Sequence, residues 1–146
     1  MIEYRKLKND EVEQYIKEIN LLYGQLSSHH KEISSERLYA VLGSENSFVT
    51  GAFDGQKLVG VGSLHIVKMI GGSKGLIEEV VVDGNYRRQG IAKTLMHKII
   101  EEGKTLGLKY LDLTSSPKRE AANKLYQSLG FDLRGTNCYR FNIGNG

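Results

Sequence analysis

The stretch VVVDGNYRRQGIAKTLM, residues 80–96, decides how this chain is read. Its three consecutive valines suit a strand buried on both faces. Asp83-Gly84-Asn85 ends that run, and a helix opens inside Arg87-Arg88-Gln89-Gly90-Ile91-Ala92. The first turn of a helix leaves N–H groups without partners and carries the positive end of the helix dipole. Gly90 lets the main chain come close to a ligand, and Ala92 keeps a second approach point small. Arg87, Arg88 and Lys93 add positive charge. Two readings stand: an anion site suited to a pyrophosphate, or a plain strand-to-helix turn with a solvated basic face. Two other phosphate motifs are excluded. A Walker A loop needs glycines where Ala92 and Arg87 stand before Lys93-Thr94, and no G-x-G-x-x-G fingerprint occurs here.

Working outward, residues 89–107 form the predicted helix, with Ile91, Leu95, Ile99 and Leu106 on a broad apolar face. Lys109–Thr114 reads as a strand and residues 118–128 as a helix with Ala122, Leu125, Tyr126 and Leu129 as its stripe. Gly130 is its C-terminal cap. Phe131–Leu133 and Cys138–Ile143 read as two closing strands. Upstream, Leu76–Val82 follows a turn at Gly71-Gly72-Ser73. Ser47–Phe53 and Lys57–Ile70 flank Asp54-Gly55-Gln56, a hairpin signal. Residues 2–8 alternate as a strand, residues 9–23 carry helical spacing, and residues 24–31 read as a loop. Ser34 or Ser35 caps a second helix that Gly43 stops. The order β-α-α-β-β-β-α-β-α-β-β predicts an α/β to α+β fold with a mixed sheet and one β-α-β crossover at residues 76–114.

With 146 residues, 40% hydrophobic and 25% charged, the chain fits one domain spanning residues 1–146. It is neither a disordered chain nor a coiled-coil rod. Glycine is 17 of 146 with a single proline, which favours tight turns over a flexible linker. The absence of a long apolar run or an apolar leader predicts a cytoplasmic protein with no membrane contact. A net charge of +3, without aromatic residues interleaved in a basic patch, argues against nucleic acid. One cysteine, Cys138, excludes an internal disulfide and reads as structural. His29, His30, His65 and His97 lack metal-ligand spacing, so no metal is expected. Gly60 and Gly62 suggest a bulge or close packing.

Arg87-x-x-Gly90-x-Ala92 resembles the R/Q-x-x-G-x-G/A motif of the GNAT superfamily of acyl-CoA-dependent N-acetyltransferases. Ala121-Ala122-Asn123-Lys124-Leu125-Tyr126-Gln127-Ser128-Leu129-Gly130-Phe131 is similar to that family's A-x-x-L-Y-x-x-x-G-F segment, at the expected distance. The likeness is good over residues 76–142 and rests on element order alone over residues 1–75. It implies a mixed, centrally split sheet flanked by helices, with acetyl-CoA as donor. Backbone groups of Val80, Val81 and Val82 would pair with the pantetheine. The amides of Arg88, Gln89, Gly90, Ile91, Ala92 and Lys93 would wrap the pyrophosphate, beside Arg87. Many relatives dimerise, and the short terminal strands would supply an edge-pairing surface.

The implied reaction moves an acetyl group to a primary amine by direct attack in a ternary complex, for no covalent acyl carrier is evident. The acceptor is a small amine or a peptide amine. A lysine-like ammonium, pKa ~10.4, is neutral in only about one copy in a few thousand at pH 7, so a base must take its proton. Glu78 and Glu79, in the valine strand, are the candidates. Alternation sends only one of them into the cleft unless a bulge intervenes, and Glu78 is favoured. Tyr126 occupies the family's general-acid position, where a phenol protonates the departing thiolate. Asn123, one turn earlier, would bond the pantetheine arm or simply face water. The acceptor surface would come from residues 20–40 and 63–75, with Tyr23, Tyr39 and His65, and His29 or His30 reaching the cleft. The alternative is a non-catalytic acyl-CoA-binding or sensory module.

Overall fold

The computed structural model describes residues 1–144. Their contacts gather into two compact units, residues 1–114 and the segment from Ser115 onward.

In the first unit Ile2–Lys6 is β1, Val12–Leu26 α1, Ser35–Leu42 α2, Ser47–Asp54 β2 and Lys57–Met69 β3. Gly72–Val82 is β4, Ile91–Thr105 α3 and Leu111–Asp112 β5. The sheet runs β1-β2-β3-β4-β5. The first four strands pair antiparallel and β5 runs parallel to β4, so β4-α3-β5 is the expected crossover. Local chemistry sets several boundaries. The Ser34 hydroxyl accepts from the Arg37 amide at 3.1 Å and caps α2. Gly55, at φ +60°, makes the hairpin turn. Asn9–Glu11 is a 3-10 turn and α1 continues to Leu26, past the predicted end at residue 23, because Leu26 packs on the same core. Helix α3 opens at Ile91 rather than residue 89, since Gly90 is left-handed at φ +75°.

Two apolar layers hold the sheet. Val12, Tyr15, Ile19 and Leu22 of α1 and Leu38 of α2 pack on Val49, Phe53, Val61 and Val81. Ile91 and Leu95 of α3 pack with Ala52 and Val59 on a second cluster. Gly60 and Gly62 are close-packing positions. A Cβ at 62 would lie 2.8 Å from Ile99 Cδ1, and one at 60 would lie 3.2 Å from Leu95 Cδ1. The two layers place α1 and α2 on one face of the sheet and α3 on the other.

The sheet splits at β4 and β5. Only Gly75–Leu111 and Leu76–Asp112 are paired, so the predicted strand at 109–114 shrinks to two residues. From Ile77 to Val82 β4 keeps β3 on one side and has no strand on the other among the described residues.

The second unit contains α4, Glu120–Ser128. It ends in a Schellman motif. Gly130 stands at φ +98°, its amide donates to Gln127 O at 3.1 Å, and the Phe131 amide donates to Tyr126 O at 3.0 Å. The predicted strands at 131–133 and 138–143 do not form. Their alternation is strand-like, yet a strand exists only where a ladder partner exists. Leu133, Tyr139, Phe141 and Ile143 are instead 87–95% exposed. The edge-pairing surface expected of those strands is therefore missing among the described residues, and Cys138 is exposed rather than structural. No described helix is long and apolar enough to cross a membrane.

Candidate active site

A cavity of about 320 Å³ lies between α1, α2 and the sheet. Its walls are largely apolar. Its polar lining comes from Tyr23 of α1, Arg37 of α2, Ser63 and His65 of β3, and Glu79 of β4.

Glu79 reaches this cavity because β4 is bulged. Val61 pairs with Val81 and Ser63 with Glu78, so Gly62 alone faces both Glu79 and Val80. Ser63 and His65 line the cavity, so Leu64 between them, and its partner Ile77, face the other way. In a regular strand Glu79 would share the side of Ile77. The extra residue gives the half-step that turns it to the cavity. The cost is visible in the backbone: Glu79 stands at φ +56°, where bulges of this kind usually place glycine. Both glutamates keep solvent exposure, and Glu78, favoured on alternation, does not line the cavity.

A chain of hydrogen bonds fixes the bulge. The buried Ser63 hydroxyl donates to Glu78 O at 3.0 Å, so it accepts from His65 Nε2 at 2.9 Å. That places a ring proton on Nε2, and Ser47 Oγ lies 3.0 Å from Nδ1. Asn20 ties the loop after α1 to the helix. Its Oδ1 accepts from the Ile33 amide at 2.7 Å and from His30 Nε2 at 2.9 Å, and its Nδ2 donates to Ile16 O and Ile33 O, each at 3.0 Å. His30 stacks edge-on to Tyr23 with centroids 6.0 Å apart.

These neighbours set the ionisation. Burial first, then the charge of Glu78, raises the Glu79 pKa above the ordinary carboxylate range, against the opposing pull of His65 and His30. Burial, then the charge of Glu79, raises the Tyr23 phenol above its ordinary value. Tyr23 and His65 line the cavity as expected, whereas Tyr39 does not and His29 is exposed.

At the other candidate region, the amides of Ile91, Ala92 and Lys93 open α3 with no side-chain cap. Arg88 at φ +63° and Gly90 at φ +75° turn the chain into the helix. A Cβ on Gly90 would meet nothing within 4 Å, so the space in front of these amides is open. Arg87, Arg88, Gln89 and Lys93 are exposed around it. Val80, Val81 and Val82 lie on the part of β4 whose second edge is free. This combination suits an anion at the helix end and an extended polar chain along the strand.

In the second unit Tyr126 is buried on α4, its ring edge-on to Phe131 with centroids 6.2 Å apart. Asn123 Nδ2 donates to Ser116 O at 3.0 Å, which ties down the turn before α4 and leaves Oδ1 as its free acceptor. Among the described residues no group of three or more His, Cys, Asp or Glu side chains is arranged to hold a metal. Ser63, Asn20 and Arg37 fall inside the expected acceptor ranges but were not singled out. Ser63 bonds Glu78 O on β4 and Asn20 bonds the loop at Ile33, so no local spacing marks them.

Residues 7–131 match the model of the Acetyltransferase (GNAT) family. An uncharacterized N-acetyltransferase, YsnE of Bacillus subtilis strain 168, is 33% identical over 108 residues, which cover 73% of this chain and 69% of that protein. Among solved structures, the aminoglycoside acetyltransferase meta-AAC0020 from an uncultured soil metagenomic sample superposes with a TM-score of 0.86. Its identity is 18%, and 99% of this chain and 97% of that one are covered. AAC(6′)-Iy, in complex with a bisubstrate analogue joining CoA to acetylneamine, superposes with a TM-score of 0.80. There the identity is 19%, with 98% and 99% covered.

Proposed function

The chain belongs to the GNAT acetyltransferase family, and from that premise we propose that it moves the acetyl group of acetyl-CoA to a primary amine seated in the cavity beside Glu79. The observation that carries this reading is the bulge, which spends backbone strain to turn one carboxylate into an apolar pocket.

The donor's diphosphate is held by the uncapped amides of Ile91, Ala92 and Lys93, with Arg88, Gln89 and Gly90 shaping the turn and Arg87 adding charge. Its pantetheine runs along the free edge of Val80 to Val82. Glu79 takes the proton of the bound ammonium. A base with a raised pKa is better matched to that task near neutrality than an ordinary carboxylate. Glu78 acts through its charge, which helps to raise that pKa. The freed nitrogen lone pair attacks the thioester carbonyl, the C–S bond breaks, and the thiolate receives a proton from the Tyr126 phenol; the second N–H proton leaves through solvent as the amide forms, and the phenol is restored by a proton from solvent. The products are the N-acetyl amine and free coenzyme A.

The test is the pH dependence of free-thiol release at saturating acetyl-CoA. The wild type should lose kcat/KM on the acid side at a pH above the ordinary carboxylate range. Glu79→Gln should lower the rate by ~10²-fold or more and abolish that limb. Glu78→Gln should keep most of the rate and move the limb to lower pH, because it removes a like charge. A Glu79→Gln enzyme with the wild-type rate and profile would refute Glu79 as the base.

A further inference from the structure

The acetyl-transfer reading leaves the acceptor open, and the cavity narrows it. We propose that the acceptor is a small amine with an apolar body and one anionic end, its amine at Glu79 and its anion at Arg37. This rests on the amine-acetylation reading and goes on to name the substrate class.

Size comes first. About 320 Å³ is near the lower end of ligand pockets, which run from ~300 to ~1,000 Å³. The walls come next. Ile19, Leu38, Val49 and Val61 face the space, and they reward an apolar body. A peptide acceptor would bring main-chain N–H and C=O groups against those walls without partners. Charge decides the rest. One carboxylate, Glu79, and one permanent cation, Arg37, line the cavity. The Arg37 guanidinium makes no ion pair among the described residues, whereas Arg5 is engaged by both Glu11 oxygens at 2.9 and 2.7 Å. A guanidinium left free at a pocket presents a planar fork that matches a carboxylate. An aminoglycoside carries several ammonium groups. Here it would find one carboxylate and be repelled by Arg37. The fold shared with the aminoglycoside enzymes therefore does not extend to the charge pattern those substrates need.

The experiment measures free-thiol release from acetyl-CoA with L-leucine, L-phenylalanine and 6-aminohexanoate, each against its carboxamide, and with kanamycin. Binding of acetyl-CoA is checked separately by thermal shift. At least one acid should exceed its carboxamide by ~10-fold or more in kcat/KM, which corresponds to about 1.4 kcal/mol. A carboxamide's amine is no harder to deprotonate than the acid's, so ionisation does not create that preference. Arg37→Gln should erase the preference by raising KM for the acid alone, and Arg37→Lys should restore part of it. Carboxamides or kanamycin used as well as the acids, or Arg37→Gln slowing both members of a pair alike, would overturn the inference and leave acetyl transfer standing. No thiol release from any amine while acetyl-CoA still binds would overturn both.

Discussion

Replacing Glu79 by glycine should make the protein more stable and the enzyme inactive. The residue stands at φ +56°. An L-residue held left-handed costs ~1–2 kcal/mol, which glycine avoids. Glycine in turn loses ~0.5–1 kcal/mol more backbone entropy on folding than alanine does. Comparing Glu79→Gly with Glu79→Ala removes the side chain from both and isolates the backbone, leaving the glycine variant ahead by roughly 0.5–1 kcal/mol. In a chain of this size that is about 2–4 °C in Tm at the upper figure. Both variants also lose a carboxyl whose pKa is higher in the folded state than in the unfolded chain. Such a group binds its proton more tightly when folded. Its penalty to the native state is absent well below the unfolded pKa and grows as pH rises through that value to the folded one. Both variants should therefore gain on the wild type at pH 7 and lose that part of the gain in acid. Melting curves by circular dichroism at pH 7 and in the acid range, beside thiol-release rates, make the measurement. A glycine variant melting below the alanine variant, or retaining wild-type turnover, would show that the left-handed bulge is neither strained nor used.

Ser63→Ala removes the hydroxyl that bonds Glu78 O and His65 Nε2, two part-buried bonds worth ~0.5–1.5 kcal/mol each. It should lower kcat and shift the acid limb with KM little changed, and Ser63→Thr should recover part of the loss. An unshifted profile would detach the hydrogen-bond chain from the bulge. Gly90→Ala meets no steric obstacle, so its cost is the left-handed φ, ~1–2 kcal/mol. It should weaken coenzyme A binding in calorimetry, and unchanged affinity would remove this turn from the donor site. Tyr126→Phe should lower turnover by ~10²-fold while acyl-CoA binding persists. An undiminished rate would take Tyr126 out of the mechanism.

Much of the candidate site was legible because its signals are local. Gly90, Gly55 and Gly130 mark positive φ, and all three stand there. Ser34 announces a cap and makes it. The apolar stripes of α1 and α3 follow from spacing, and the turn with open amides before α3 is a property of one helix end. Which of Glu78 and Glu79 lines the cavity was not legible, since strict alternation points to Glu78 and the cavity is lined by Glu79. Nothing within β4 announces the inserted residue. The signal lies in its pairing with Gly62 and Ser63 on β3. The strand-like alternation at 138–143 misleads for the complementary reason: its pattern is right and its partner is missing.

Residues near one another in sequence therefore determined the helices, the turns and the glycine turn that opens α3. Short-range sterics, capping and periodicity act before any distant segment is in place. Only the tertiary structure decided which carboxylate enters the cavity, that Arg37 lines its wall, and where the sheet divides. Those outcomes depend on register between strands and on packing across elements, where a slip of one residue reverses the face of every side chain beyond it.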